Sequence, residues 1–136
     1  MHDLHLVACV KAKAPEARIA RDLYISPWFA KARRYVERQG APWMILSAQH
    51  GLVDPEEVLE PYDLTLRDLD AAERARWGSR VAHQLRDLCG DPIPPVVFLA
   101  GLPYRAALTP HLPRYRVPMY GLGIGEQLAW LDRNTA

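Results

Sequence analysis

The segment Trp43-Met-Ile-Leu-Ser-Ala-Gln-His-Gly51 carries the clearest structural signal of the sequence, because a short apolar run passes directly into polar residues and a glycine. An apolar run of this length, bounded by turn residues, is typical of a strand buried in a sheet. Three similar runs occur elsewhere in the chain, at His5–Val10, Val96–Ala100 and Val117–Tyr120. The sequence therefore predicts four strands, of which the second covers Trp43–Ala48.

Helix signals lie between these runs. Ser26 followed by Pro27 is typical of an N-cap with proline at the first helical position, and Asp70 with Glu73 forms a capping box. The predicted helices cover Pro15–Leu23, the residues from Pro27 to Gly40, the residues from Asp70 to about Leu88, Tyr104–Leu108 and Gly125–Arg133. The stretch Gln49–Leu69 has no period and is predicted to be a long loop.

Alternating strands and helices predict a single compact α/β domain over residues 1–136, with a mainly parallel, Rossmann-like sheet of four strands and helices on both faces. The 136 residues are close to the commonest size of one domain, and no linker divides them. Hydrophobic residues make up 49% and charged residues 24%, which is typical of a globular chain rather than a disordered one.

Membrane and metal partners are not expected from the sequence. No apolar run approaches the roughly 20 residues that cross a bilayer. The segment from Met1 to His5 lacks the basic and apolar parts of a secretory signal. The two cysteines, Cys9 and Cys89, form no disulfide framework and have no metal-ligand spacing. We therefore expect a cytoplasmic protein without a metal or a cofactor.

The carboxyl ends of parallel strands lie at one edge of a sheet, and ligands bind beyond that edge. Small, polar or basic residues end or follow every predicted strand: Lys11, Lys13, Ser47, Gln49, His50, Gly51, Gly101, Tyr104, Tyr120, Gly121, Gly123 and Gly125. We expect one phosphate- or nucleotide-sized pocket at this edge, lined by Lys11 or Lys13, Ser47, His50, Tyr104 and the Gly121–Gly125 turn.

Each of these candidates also has a plain structural interpretation. Lys11 and Lys13 could clamp a phosphate or be solvated loop residues. The Gly121-x-Gly123-x-Gly125 turn could present backbone N–H groups to an anion or simply be tight. His50 could transfer a proton, since the pKa of histidine lies near neutrality, or be a hydrogen-bonded structural residue. The glycine spacing does not match G-x-G-x-x-G, and neither G-x-x-x-x-G-K-[ST] nor G-x-S-x-G is present.

Four further candidates lie outside the strand ends. Tyr62 and Asp63, in the predicted long loop, offer a phenol and a carboxylate, although Asp63 could be a turn residue. Ser26 could contact a ligand or cap the second helix, and Arg34 lies on the exposed face of that helix. Arg34 belongs to a basic stretch from Arg18 to Arg38, which could meet phosphates or be a solvated helix surface.

The chain resembles a bacterial and archaeal domain family of unknown function in four segments. They are Leu23-Tyr-Ile-Ser26-Pro-Trp-Phe29-x-Lys31-x-x-Arg34-Tyr35, Trp43-x-Ile45-Leu-Ser47-Ala-Gln-His50-Gly51-Leu, Glu60-Pro-Tyr62-Asp63-Leu-Thr65-Leu and Tyr120-Gly-Leu-Gly-Ile-Gly125-Glu-Gln127-Leu-x-Trp130-Leu. That family is distantly similar to the YaaA-type proteins of peroxide stress and to a domain of the enzymes that make archaeosine in transfer RNA. Its usual form has lysine where this chain has Gln49. The resemblance implies a compact α/β fold akin to that of uracil-DNA glycosylases, and an association with nucleobases or nucleic acids.

Two functions of different classes fit these features. The first is an enzyme that acts on a nucleotide, nucleoside or nucleic-acid base and hydrolyses or exchanges an N-glycosidic bond. In this hypothesis His50 and Asp63 are the candidate acid and base. Phosphate would be held by the two lysines and the glycine turn, and the stacking surfaces would be Tyr62, Tyr104 or Tyr120. The alternative is a non-catalytic module that binds nucleotides or nucleic acid through the lysines and the basic stretch. A net charge of +1 weighs modestly against it, because domains that depend on phosphate contacts are often strongly basic.

Overall fold

The computed structural model describes residues 3–135. Met1 and His2, on which the expectation about a secretory signal partly rests, lie outside the described residues. The strands are β1 (Leu4–Ala8), β2 (Arg18–Ile19), β3 (Trp43–Ser47), β4 (Gly51–Val53), β5 (Val58–Leu59), β6 (Val96–Leu99) and β7 (Tyr115–Arg116). The helices are α1 (Ala20–Leu23), α2 (Pro27–Arg38), α3 (Ala71–Cys89), α4 (Leu102–Leu108) and α5 (Ile124–Thr135). None of the helices within residues 3–135 has the length and apolar character that a membrane span requires.

The main sheet has five strands in the order β4-β3-β1-β6-β7. The central strand β1 pairs in parallel with β3 and with β6, and β6 pairs in parallel with β7. One edge is closed by β4, which runs antiparallel to β3. The predicted α/β fold with a mainly parallel sheet is confirmed, and a short antiparallel strand is added to it.

Helices cover both faces of this sheet. Successive strand residues point to opposite sides, so the apolar strands contribute buried side chains to both faces. On one face Val7, Ile45 and Val97 pack against α2 and α5. On the other face Leu6 and Phe98 pack against α3 and α4. All five side chains are fully buried, and burial of an aliphatic or aromatic side chain contributes about 1.5–3 kcal/mol. The apolar runs of the sequence thus form the middle layer of three.

The fourth predicted strand, Val117–Tyr120, is wrong. These residues form a turn, and the strand is β7, two residues earlier, which pairs with β6. Pro118 has no N–H group for a sheet ladder. The residues of β7 are exposed at the sheet edge. A search for buried apolar runs therefore does not detect this strand.

The predicted long loop Gln49–Leu69 is also wrong in part, since it contains β4, β5 and a 3₁₀ turn at Leu66–Asp68. Strand β4 begins at Gly51, where the backbone has φ of +76°. A Cβ atom there would lie 2.4 Å from Oε1 of Gln84, the same atom that accepts a hydrogen bond of 2.9 Å from the N–H of Leu52. The positive φ and the close approach of Gln84 together favour glycine at this position. A strand of three residues that begins with glycine is too short to show the apolar–polar alternation by which strands are detected in a sequence.

The helix caps agree with the sequence signals, whereas one helix boundary does not. Ser26 Oγ accepts a hydrogen bond of 3.1 Å from the N–H of Phe29, and Asp70 and Glu73 form both hydrogen bonds of a capping box. The helix predicted over Pro15–Leu23 is wrong in its first half, because β2 lies there and pairs with the distant β5. Only its last four residues, α1, are helical.

Candidate functional site

A cavity of about 620 Å³ opens at the carboxyl edge of the sheet. Its walls come from the segments that follow β1 and β6, from the first turns of α2 and α5, and from the segment between β5 and α3. The residues in these walls are Ala8, Cys9, Val10, Lys11, Trp28, Asp63, Thr65, Leu66, Arg67, Asp68, Gly101, Pro103, Tyr104, Ile124 and Gln127. The volume lies within the range of about 300–1,000 Å³ that is usual for small-molecule sites.

One wall of the cavity is held by the side chain of Gln127. Its Oε1 accepts a hydrogen bond of 2.8 Å from the indole Nε1 of Trp28, and its Nε2 donates one of 2.9 Å to the carbonyl oxygen of Leu122. Both functional groups of the amide are therefore used within the protein. Trp28 is fixed by this bond and offers the cavity an aromatic surface.

Another part of the cavity wall contains a thiol beside a phenol. Cys9, directly after β1, has its Sγ 3.3 Å from the hydroxyl of Tyr104 in α4. Burial raises the pKa of Tyr104 above its ordinary value, with smaller contributions from Cys9. The phenol therefore stays protonated at neutral pH and can donate a hydrogen bond to a ligand.

Charged side chains of both signs border the cavity. Within residues 3–135, the side chains of Lys11, Asp63 and Arg67 form no hydrogen bond or ion pair. Asp68 differs, because its Oδ2 accepts a hydrogen bond of 3.0 Å from the N–H of Thr65. One carboxylate and two cations thus remain available to a ligand.

A chain of three buried hydroxyl groups lies beside the cavity, and we refer to Tyr24, Ser47 and Tyr62 as the hydroxyl cluster. The hydroxyl of Tyr62 is 2.5 Å from that of Tyr24 and 2.6 Å from Ser47 Oγ. Ser47 Oγ also accepts a hydrogen bond of 3.1 Å from the N–H of His50. Burial raises the pKa of both tyrosines, so the hydroxyl cluster is neutral over the physiological range.

Two basic side chains hold the ring of Tyr62 from outside the hydroxyl cluster. The ammonium group of Lys13 lies 4.4 Å from the centre of the Tyr62 ring and donates a hydrogen bond of 3.2 Å to the carbonyl oxygen of Lys11. The His50 ring meets the Tyr62 ring edge to face, with 5.2 Å between their centres. Burial lowers the pKa of Lys13, although the nearby Cys9 and Asp63 act in the opposite direction.

The cavity therefore brings together only part of the set expected from the sequence. Lys11, Asp63, Gly101 and Tyr104 lie in its wall. The side chains of Ser47, Tyr62, Lys13 and His50 lie behind the wall, in or around the hydroxyl cluster. In the part of the chain that the structure describes, the cavity lined by Tyr104 does not include His50, so the predicted convergence of the two is not observed.

The glycine turn lies next to the cavity rather than inside it. Gly121, with φ of +81°, lines an adjoining space of about 90 Å³ that shares Gly101 and Gln127 with the larger cavity. The N–H of Gly123 donates a hydrogen bond of 3.0 Å to Oε1 of Glu126. A carboxylate of the same helix thus occupies one of the N–H groups that an anion would need, and Gly125 continues as part of α5.

The remaining candidates lie away from the cavity. Gln49 is exposed in the turn before Gly51, and its carbonyl oxygen accepts a hydrogen bond of 2.9 Å from Arg80. Tyr120 is 75% exposed, with the guanidinium of Arg105 5.9 Å from its ring centre. Ser26 caps α2, as its structural interpretation predicted, and Arg34 is exposed on that helix.

The basic stretch forms a surface on α2 and the segments beside it, which we call the α2 surface. Most of its cations are in ion pairs: Arg18 with Glu16, Arg21 with Glu56, Lys31 with Asp132, and Arg33 with Asp22 and Glu37. The acidic partners come partly from distant positions in the chain. Local charge on the α2 surface is therefore largely balanced.

Sequence reasoning missed several residues of the site. Trp28 and Gln127 stand in the segments that resemble the family, but no feature of the sequence assigned either of them a role in a site. Arg67 and Asp68 lie in a stretch without a period, and Tyr24 gave no sign of its contact with Tyr62, 38 residues away. The sequence did contain one indication for Trp28. It lies in the first turn of a predicted helix, and the start of that helix meets the edge of the sheet that carries the other candidates.

Similarity to known proteins extends over almost the whole chain. The model of a family of unknown function (DUF6884) matches residues 4–133. The uncharacterized protein YfjM of Bacillus subtilis (strain 168) is 28% identical to the chain over 144 residues, covering 98% of this chain and 95% of the relative. Both matches span the segments that wall the cavity, from β1 to α5.

Proposed function

The chain belongs to the family of unknown function DUF6884, and from this premise and the geometry of the cavity we propose an enzyme that hydrolyses or exchanges the N-glycosidic bond of a nucleoside or nucleotide. The observation that carries the proposal is the carboxylate of Asp63, which has no partner within residues 3–135 and lies in one cavity with two aromatic side chains, Trp28 and Tyr104. Aromatic faces suit a nucleobase, because every base offers a π surface for stacking.

Asp63 suits the chemistry of this bond. When the bond between the base and the anomeric carbon breaks, its electron pair leaves with the base and positive charge develops on the sugar. A fixed carboxylate stabilises that charge, and it can accept the proton of the water that adds to the anomeric carbon. The neutral hydroxyl of Tyr104 can donate a hydrogen bond to the departing base. In this scheme His50 takes no proton from the substrate, since its ring packs on Tyr62 behind the wall.

A phosphate group on the substrate would be held by Lys11 and Arg67. Both are cations in the cavity wall that lack a partner within the described residues. The family that the chain's motifs resemble is itself distantly similar to YaaA-type proteins and to a domain of the archaeosine enzymes, and this resemblance implies an association with nucleobases or nucleic acids. The proposed substrate class is therefore a nucleoside or its monophosphate.

The alternative, a non-catalytic module that binds nucleic acid, has weaker support. It relies on the α2 surface, where most cations are already paired with carboxylates. Phosphate binding there would require these pairs to open, which removes much of the electrostatic gain. If this alternative holds, charge reversal at Arg33 and Arg34 abolishes retention on nucleic acid, and no substrate is converted.

The test is release of free base from a panel of ribo- and deoxyribonucleosides and their 5′-monophosphates, followed by chromatography. Asp63→Asn should lower kcat by about 10²- to 10⁴-fold. Its melting temperature should remain near that of the wild type, because the Asp63 side chain is exposed and has no hydrogen bond or ion pair within residues 3–135. Glu60→Gln is the matched control, since it removes the same charge from the same segment outside the cavity wall. Equal rates for Asp63→Asn and the wild type, or no base release from any substrate, would overturn the proposal.

A further inference from the structure

We infer that Tyr62 is a positioning residue, which holds the Asp63 carboxylate in the cavity through the hydroxyl cluster; this inference rests on the proposed function. Tyr62 precedes Asp63 directly in the chain, yet the two side chains have opposite environments. Tyr62 is only 8% exposed, whereas Asp63 is exposed in the cavity wall. The buried member of the pair is thus placed to fix the exposed one.

The backbone around Asp63 has little support of its own. Residues 60–65 adopt neither helix nor strand. Within residues 3–135, no backbone–backbone hydrogen bond involves residues 60–64. A segment without such bonds needs side-chain contacts to keep one conformation. The hydroxyl of Tyr62 supplies two of them, to Tyr24 and to Ser47.

Tyr62 is the middle member of the hydroxyl cluster, and its loss therefore breaks both links. The two outer members are attached to regular structure. Ser47 is the last residue of β3, and Tyr24 directly follows α1. Ser47 is held in addition by its carbonyl oxygen, which accepts a hydrogen bond of 2.9 Å from Nε1 of Trp77. The loop that carries Asp63 is thereby tied to the sheet and to α1 at one point.

The ring of Tyr62 has a second set of contacts, which separates the role of the ring from that of the hydroxyl. Lys13 lies over the ring face and His50 against it edge to face. Tyr62→Phe keeps both ring contacts and removes only the two hydrogen bonds. The packing of His50 against the Tyr62 ring is therefore kept in this variant.

The test compares Tyr62→Phe with Tyr35→Phe, a matched removal of a hydroxyl from a tyrosine that is buried on the α2 and α5 side of the sheet. In limited proteolysis, Tyr62→Phe should speed cleavage within residues 60–65 by about 10-fold or more, since each of the two lost hydrogen bonds contributes about 0.5–1.5 kcal/mol to keeping this segment in place. Cleavage within α3 and α5 should not change. Tyr35→Phe should leave residues 60–65 as in the wild type.

The kinetic arm follows base release by the same variants. Tyr62→Phe should lower kcat by about 10-fold or more with KM within a few-fold, because a misplaced carboxylate harms the transition state more than binding. In the Asp63→Asn background, Tyr62→Phe should have no further effect on kcat, since residues that act through one group are not additive. An equal further loss in that background, or unchanged cleavage within residues 60–65, overturns the inference. Absence of base release from the wild type overturns the proposed function and with it the catalytic part of the inference, and the proteolysis data then report the loop anchoring by itself.

Discussion

The carboxyl edge of the sheet and the α2 surface are both rich in polar and basic residues, but they use them in opposite ways. On the α2 surface, Arg21, Lys31 and Arg33 are exposed or half-buried and each is paired with a carboxylate. At the carboxyl edge, Lys11 and Asp63 lie in the cavity wall without a side-chain partner among residues 3–135, and Tyr62, next to Asp63 in the chain, belongs to the buried hydroxyl cluster. Surface ion pairs contribute little to stability, whereas satisfied buried polar groups are costly to break. The paired charges of the α2 surface are already neutralised within the protein, whereas the charges at the carboxyl edge remain available to a ligand.

The largest expected effect concerns the buried part of the carboxyl edge. Ser47→Ala removes the hydroxyl that Tyr62 and the N–H of His50 share. It should lower the free energy of unfolding by about 1–3 kcal/mol, since buried polar groups are left unsatisfied. Urea unfolding followed by circular dichroism measures this change. Ser79→Ala, at an exposed position of α3, is the control and should stay within about 0.5 kcal/mol of the wild type. Equal free energies of unfolding for the two variants would show that the buried hydroxyl of Ser47 stabilises the fold no more than an exposed hydroxyl does.

The next effect concerns ligand affinity. Lys11→Gln and Arg67→Gln should each weaken binding of adenosine 5′-monophosphate about 10-fold, because each removes a charged hydrogen bond to phosphate. Arg34→Gln, on the α2 surface, should bind like the wild type. Isothermal titration calorimetry at low and high salt gives the dissociation constants. Adenosine, which lacks the phosphate, should bind all variants alike; a loss confined to Arg34→Gln would transfer the phosphate site to the α2 surface.

The next effect concerns pH and the buried residue His5. Like the hydroxyl cluster, His5 is a buried polar residue, but its ring nitrogens form no hydrogen bond within the described residues. His5 is only 3% exposed. Burial and then the charge of Arg116 lower its pKa below 6.5, against a weaker opposite effect of Asp3. The unfolded chain therefore binds a proton at His5 before the folded protein does, and stability should fall as pH drops below about 6.5. His5→Leu should flatten this part of the profile of unfolding free energy against pH. A profile identical to that of the wild type would show that His5 is not the group responsible.

The smallest effect is expected on the α2 surface. A double-mutant cycle with Lys31→Met and Asp132→Asn should give a coupling energy below about 1 kcal/mol, as for other exposed pairs. Thermal or urea unfolding of the four proteins measures it. A coupling well above that value would mean that the ion pairs of this surface are a structural element, contrary to the comparison.

The middle of the fold could be predicted from sequence, and its edges could not. β1, β3 and β6 are buried on both faces and therefore read as apolar runs. β7 lies at an edge and is exposed, and β4 is three residues long and starts with a glycine, so neither carries the pattern. Strand pairing with a distant partner, as between β2 and β5, overrides the local helical preference of the segment before α1.

The candidate site shows the same division. Lys11, Gly101 and Tyr104 could be predicted because they follow buried strands, and a parallel sheet brings those ends together. Gln127 and Tyr24 could not, because their roles depend on single contacts with residues far away in the chain. The paired state of the α2 surface was hidden for the same reason: Lys31 finds its carboxylate at Asp132, 101 residues later.

The central position of β1 sets the order in which the molecule can be assembled. Its pairing with β3 closes a loop of modest length, and the segment from β1 through α2 to β3 is a local unit. Its pairing with β6 joins positions roughly twice as far apart, which costs more chain entropy and is slower to form. The cavity needs the ends of β1 and β6 and the first turn of α5. During synthesis a ribosome-bound N-terminal half can form β1 and β3, but the cavity is complete only after β6 and the first turn of α5 have been added.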